Sequence, residues 1–309
     1  MRLNHHSSPS NEKIEGCTTD SGTACDSTTR NSLKLTCAHS IHACIFNSIS
    51  SPFSCGGVLY LHSTAKSDST SLTVDNCIFN RCSATGNSND AFGGGAIYLD
   101  CGSLYITSTI FNECSSLKYG GGIYAYNNCK SSSISHCSFI NCGGGCGGGL
   151  MTWQGPTSSV TYSRFIFCRA GWSGGGLYHD CNTRAGFLSL SDTLFTNNRA
   201  YYQPEPVFQI RGGGAFEDFR SNSYSSTYSF SFFTGNLAPS GVGNDISIYQ
   251  CTLNSNMITV CFTTTFFHSF YNTKDQGHIS WLHLTLINSP NHDHRLYHEI
   301  MELLFYFPA

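Results

Sequence analysis

Short runs in which apolar residues alternate with small or polar ones recur along the chain, and they come in two kinds. The first opens on glycine: GGVLYLH, GGAIYLD, GGIYAYN, GGLMTW, GGLYHD and GGAFEDF. The second follows in each copy: LTVDNCIFNRC, LYITSTIFNEC, SISHCSFINC, VTYSRFIFC, LSLSDTLFTNN and TYSFSFFTGN. A period of two marks a strand with one buried face, and these runs are too short and too rich in Phe, Tyr and β-branched residues for helices. Glycine triplets stand at 93–95, 120–122, 147–149 and 174–176, each step being 27 residues. A further triplet at 212–214 lies 38 residues on, and Gly56-Gly57 precedes Gly94-Gly95 by 38. The excess fits one inserted loop in each long copy.

Every second run carries a phenylalanine, and three residues later a Cys or Asn. The series are Phe79, Phe111, Phe139, Phe165, Phe195 and Phe233, then Cys82, Cys114, Cys142, Cys168, Asn198 and Asn236. Phe46 heads the series, with Ile49 in the third place after it. In a solenoid, equivalent residues align in ladders about 4.8 Å apart, the strand spacing. The phenylalanines then form an interior aromatic stack. Cys or Asn falls where the strand enters a turn, as a small buried residue or a turn former. The pattern predicts an all-β, right-handed parallel β-helix of about six to seven rungs, the hand following that of parallel crossovers. The repeats span 33–250. A polar Ser/Thr-rich arm or irregular cap precedes them at 1–32, and a non-repetitive segment follows at 251–309. Leu296, Ile300, Leu303, Leu304 and Phe307 lie at helical spacing, so residues 295–307 are expected to form a short helix that caps the final rung near Ile246–Tyr249.

Glycine-led runs alternating with FxxN-type runs resemble the polymorphic outer membrane protein repeat of bacterial autotransporter passengers and protist surface proteins. Phe139-Ile140-Asn141-Cys142 and Gly243-Asn244-Asp245-Ile246 match forms of that repeat, over about residues 41–250. This chain prefers Cys to Asn in the third place after Phe. The resemblance implies a pectin-lyase-like right-handed β-helix at the cell surface or outside the cell, adhesive rather than catalytic. The chain opens MRLNHHSSPSNEKIEG, with no apolar signal core, and no anchor is evident, which suggests a truncated copy of a larger protein.

Charge narrows the function classes. Charged residues make up 11% of the chain and the net charge is −3, so a basic nucleic-acid binder is not expected. No run of 18 apolar residues suggests a membrane-spanning helix. The 17 cysteines are an odd number. Their periodicity points to packing, and most of the ladder thiols are expected to be unbridged, since neighbouring parallel strands rarely meet disulfide geometry.

Several clusters carry possible chemistry. Counting five residues past the last glycine of each group gives His62, Asp100, Asn127, Gln154, Cys181 and Phe219, a mostly polar row that should face solvent. Asp180 with Glu217 or Asp218, beside His179 and Arg211, is the best acid/base cluster. It would suit a polysaccharide lyase or hydrolase if the carboxylates stood within about 9.5 Å. Asn291-His292-Asp293-His294 with His298 has zinc-like residue types, but no Cys pair has the spacing of structural zinc sites. The stretch 143–149, GGGCGGG, contains a G-x-G-x-x-G match without the helix that dinucleotide binding requires. No metal site and no cofactor are therefore assigned. The expected function is non-catalytic binding of a protein or glycan along a lateral face, with the carbohydrate-active enzyme as the alternative.

Overall fold

The computed structural model describes residues 31–32, 38–51, 55–62, 70–85, 93–100, 102–153, 157–181, 187–201, 216–220, 227–238, 246–249, 258–260 and 270–272. For 31–32, 216–220, 227–230, 246–249, 258–260 and 270–272, the strand course and pairing are described. The expected helix at 295–307 and the histidines at 292, 294 and 298 lie outside the described residues, as does the arm expected at 1–32 except for Asn31–Ser32, which is a strand paired with Leu59 and Tyr60 and so belongs to the coil.

The chain is a parallel β-solenoid, and every strand pair in it is parallel. One coil visits four sheet positions in turn. The glycine-led sheet stacks Leu59–His62, Ile97–Asp100, Ile123–Ala125, Leu150–Trp153, Leu177–Cys181, Phe216–Arg220, Ile246–Tyr249 and Phe270–Asn272. The wide sheet follows, with Ala38–His42, Ser71–Asp75, Gly102–Thr107, Cys129–Ser135, Thr157–Thr161 and Leu188–Ser191. A narrow phenylalanine sheet stacks Ile45–Asn47, Ile78–Asn80, Ile110–Asn112, Ser138–Ile140, Arg164–Ile166 and Leu194–Thr196. Thr227–Thr234 runs through the corner and joins the wide and phenylalanine sheets. Short strands such as Ser83–Ala84, Gly143–Cys146 and Arg169–Ser173 form the fourth position, from which the glycines return the chain to the first.

Alternation makes the interior. Leu72, Leu104, Ile106, Ile134, Val160 and Leu190 turn inward from the wide sheet and meet Leu61, Leu99 and Ile123 from the glycine-led sheet. Between them runs a column of rings, Phe46, Phe79, Phe111, Phe139, Phe165, Phe195 and Phe233, all fully buried. Neighbouring rings stack with centroids 4.6–5.1 Å apart, and the central planes lie within 2–5° of parallel. The register is one-to-one, Phe79 on Phe111 on Phe139 on Phe165 on Phe195 on Phe233.

Two corners flank the phenylalanine sheet, and each is turned by one residue in the left-handed region. The first corner uses Ala43, Asn76, Ser108, His136, Tyr162 and Asp192, and the second Ser48, Arg81, Glu113, Asn141, Phe167 and Asn197. A buried residue follows each, Ile49 after Ser48 and Cys, Ser, Thr or Asn after the others. In the polar cases the side chain reaches the backbone of a neighbouring rung. The Cys114, Cys142 and Cys168 thiols donate to the carbonyls of Phe79, Phe111 and Phe139, each at 3.4 Å. Asn198 and Asn236 do the same toward Phe165 and Phe195, at 2.9 and 3.0 Å. Asparagine also accepts: Cys168 N–H donates to Asn198 Oδ1, and Asn198 N–H to Asn236 Oδ1, both at 2.9 Å. In the cysteine rungs a sulfur faces the N–H of the preceding rung instead, as Cys168 faces Cys142.

The ten cysteines whose side chains are described are buried and form no disulfide. Burial, with neighbouring thiols, holds Cys114 and Cys168 well above the ordinary thiol range, and burial pushes Cys137 up to about 12. A neutral ladder thiol is a weak donor and a weaker acceptor than an amide. Cys168→Asn is therefore expected to fold with an unfolding midpoint at or above that of the native chain. Cys168→Ala should lose about 1–3 kcal/mol by removing the thiol's bond to the Phe139 carbonyl and stranding the Cys142 N–H. Chemical denaturation of the two variants checks this.

Candidate functional site

The outward rows of the glycine-led sheet hold the residues that read as chemistry. Backbone pairing corrects the count made from the glycines. Leu59 N–H donates to Ala96 O, Ala96 N–H to Gly122 O, and Gly122 N–H to Gly149 O. Ala96 thus occupies the place of the third glycine in the short copies. The long copies carry one more residue between glycine and strand, so a fixed offset from glycine slips by one. The true row is His62, Asp100, Tyr126, Trp153, Asp180, Phe219. Asn127, Gln154 and Cys181 do not belong to it.

Nor is this row a solvated face. A second row beside it stacks Tyr60, Tyr98, Tyr124, Met151 and Tyr178, and Tyr119, Tyr126, Trp153 and Trp172 pack against these. The outside of the sheet therefore carries its own aromatic cluster, separate from the phenylalanine column. Burial pushes the Tyr98 and Tyr124 hydroxyls well above their usual range, and Tyr119 up to about 12.

Asp100 is buried in this cluster. Its Oδ2 lies 2.8 Å from His62 Nδ1, and its Oδ1 accepts the Asn128 N–H at 2.9 Å. Burial raises its pKa, against the opposing pull of the Asn128 N–H and His62. The folded protein thus holds this proton to higher pH than the unfolded chain does. The linked stability is fully present below the unfolded carboxyl pKa of about 3.9 and is lost as pH rises through the folded value. Asp100→Asn should accordingly unfold at a higher temperature than the native chain near pH 7, with the gap closing towards pH 4. Thermal unfolding across that range measures it.

Asp180 is also buried, at 2% exposure. Its register partner is Phe219, whereas Glu217 stands opposite Tyr178 and Asp218 opposite His179. Adjacent strand residues face opposite sides, and His179 turns inward, fully buried, to hydrogen-bond with Thr152. The register sets Glu217 diagonally across from Asp180, with backbone positions roughly 8 Å apart. Arg211 lies outside the described residues. Among the described residues no group of three or more His, Cys, Asp or Glu side chains is arranged to hold a metal ion. The stretch 143–149 is a strand, Gly143–Cys146, leading into a turn.

Two polar pairs inside the coil were not legible beforehand. Ser132 donates to Ser158 at 2.9 Å in an interior row otherwise made of His39, Leu72, Leu104 and Leu188. Thr152 and His179 are the other pair. Small polar residues in alternating runs read equally well on either face, and only the register assigns them inward.

The outward rows of the wide sheet are different again. One runs Ser40, Thr73, Tyr105, Ser133, Ser159, Ser189, and the next His42, Asp75, Thr107, Ser135, Thr161, Ser191. They are partly to fully exposed, and past Asp75 they carry no charge. On the phenylalanine sheet, Asn112 donates to Asn80 and Asn80 to Asn47, each at 2.7 Å, in an outward amide ladder. Among the described residues no helix is long and apolar enough to cross a membrane. Compared with family models, curated proteins and solved structures, the chain matches none of them.

Proposed function

We propose that this protein is a non-catalytic binding scaffold, an adhesive surface or secreted repeat protein that engages a protein or glycan along a lateral face of the solenoid. The observation that carries the reading is the register-locked rows of the wide sheet. From Gly102–Thr107 to Leu188–Ser191 they repeat hydroxyl side chains at about 4.8 Å across strands and about 6.6 Å along them. Such a face offers many weak, regularly spaced donors and acceptors, which suits an extended partner better than a small substrate. Of the acidic residues in these rows whose side chains are described, Asp100 is buried and already paired and Asp180 is buried, which favours binding over acid/base work. The resemblance to polymorphic outer membrane protein repeats supports the same role and location.

The test is a binding screen of the full chain over immobilised glycans and extracellular matrix proteins. Retention on at least one surface is expected, weakened by Ser133→Lys/Ser159→Lys, which sets two like charges on the face. A chain that is retained nowhere contradicts the proposal.

A further inference from the structure

The second corner ladder holds two features that folding alone does not explain. Phe167 sits in the left-handed region at φ 55°, and the other residues at this corner, Ser48, Arg81, Glu113, Asn141 and Asn197, lie between 52° and 56° and are all non-aromatic. A bulky aromatic is disfavoured there, whereas Asn tolerates it. Burial does not compensate, because Phe167 is 46% exposed. Beside it, Arg169 stands in direct register with Arg199 on the next strand, and both are exposed. Like charges opposed across a strand pair repel. Among the described residues no carboxylate lies within ion-pair distance of either arginine. By contrast, Arg81 at the same corner, two rungs before Asn141, is answered by Glu113 at 3.1 Å. The earlier rungs of the Arg169 row are Ser50, Ser83, Ser115 and Gly143, so the arginines are no requirement of the coil.

Exposed apolar side chains stand beside these residues. Arg199 lies 4.9 Å over the Tyr201 ring, Leu237 follows Arg199 in its row, and both Tyr201 and Leu237 are exposed. Arginine with exposed aromatic residues is the composition of interface hot spots. Arg169 and Arg199, about 4.8 Å apart, suit carboxylates carried on an extended chain. Leu237 and Phe167 offer apolar contact that a sugar ring or sulfate would not use.

We propose that Phe167, Arg169, Arg199, Tyr201 and Leu237 form a docking patch for an acidic protein segment that also carries apolar side chains. The assignment rests on the binding reading above, but it places this partner at the corner between the phenylalanine sheet and the fourth position and not on the wide sheet. An approaching carboxylate relieves the Arg169–Arg199 repulsion, and the strain at Phe167 is retained because the exposed ring contacts the partner.

The experiment uses the full chain and a fluorescein-labelled peptide of alternating glutamate with leucine or phenylalanine, with heparin as the sulfated-glycan comparison. Fluorescence anisotropy should show binding of the peptide in preference to heparin. Arg169→Ser/Arg199→Ser, which restores the residue of the earlier rungs, should weaken it at least about tenfold. Phe167→Asn should weaken it about fivefold or more while raising the unfolding midpoint by about 2–4 °C, a pairing that a merely structural role would not produce. Absence of peptide binding, preference for heparin, indifference to the arginine pair, or a lower midpoint in Phe167→Asn overturns the patch. Retention of the chain in the wider screen under any of those results leaves the scaffold reading standing.

Discussion

Phe139→Ala is expected to cost about 3–5 kcal/mol, or to leave the chain unable to fold at 37 °C. The ring is fully buried, and it stacks on Phe111 at 4.8 Å and on Phe165 at 4.6 Å. Its loss forfeits the apolar transfer energy and both stacking contacts, worth about 0.5–1.5 kcal/mol each beyond area. It also opens a cavity between two rungs whose backbones are locked by parallel pairing and cannot collapse into it. Phe139→Leu should recover part of the loss. Urea denaturation compares them, and a cost below about 1 kcal/mol for the alanine variant would mean that the column is not the core.

The second large effect is expected at a glycine. A Cβ at Gly121 would lie 2.2 Å from Gly148 O and 2.5 Å from both Gly143 N and Gly143 O. All three atoms are backbone, and they belong to the next rung, so no side chain can swing aside. Gly148 repeats the arrangement, with a Cβ 2.2 Å from Gly175 O and 2.6 Å from Arg169 N. Gly121→Ala must therefore push two rungs apart and break N–H···O bonds such as Gly121 to Gly147. A loss above about 4 kcal/mol follows, in the class of severe backbone clashes. Gly143→Ala is the control, since its Cβ would meet only Arg169 O at 3.9 Å, and it should change stability by about 0.5 kcal/mol or less. Circular dichroism melts of the two variants, side by side, read the difference.

These residues show why the coil was legible and the candidate site less so. Phe79, Phe111, Phe139 and Phe165 are the same residue at the same place in each coil, and stacking demands that identity even where inserted loops change the interval. The glycines recur because one rung's backbone touches the next. Asp100 read as solvent-facing because alternation separates two faces of a strand without saying that an outer face is itself covered by tyrosines and tryptophans. The row through Asp180 slipped by one because Ala96 stands where the short copies have a third glycine, an exchange of types that spacing does not reveal. Ser132 and His179 turn inward against their polarity, each beside a partner that lies a whole rung away in sequence. Phe167 and Tyr162 occupy corners where turn chemistry favours Asn or Gly, so the sequence contains no turn signal there.

The scaffold reading and the enzyme alternative part most directly in one measurement: the fate of a bound ligand. The full chain is incubated with each ligand that retains it in the screen, and with polyuronates, and the recovered material is weighed by mass spectrometry. The account predicts ligand of unchanged mass, with binding undiminished in Asp180→Asn and unchanged in a Glu217→Gln/Asp218→Asn variant. Shortened chains from the native protein, and intact ones from those variants, would contradict it.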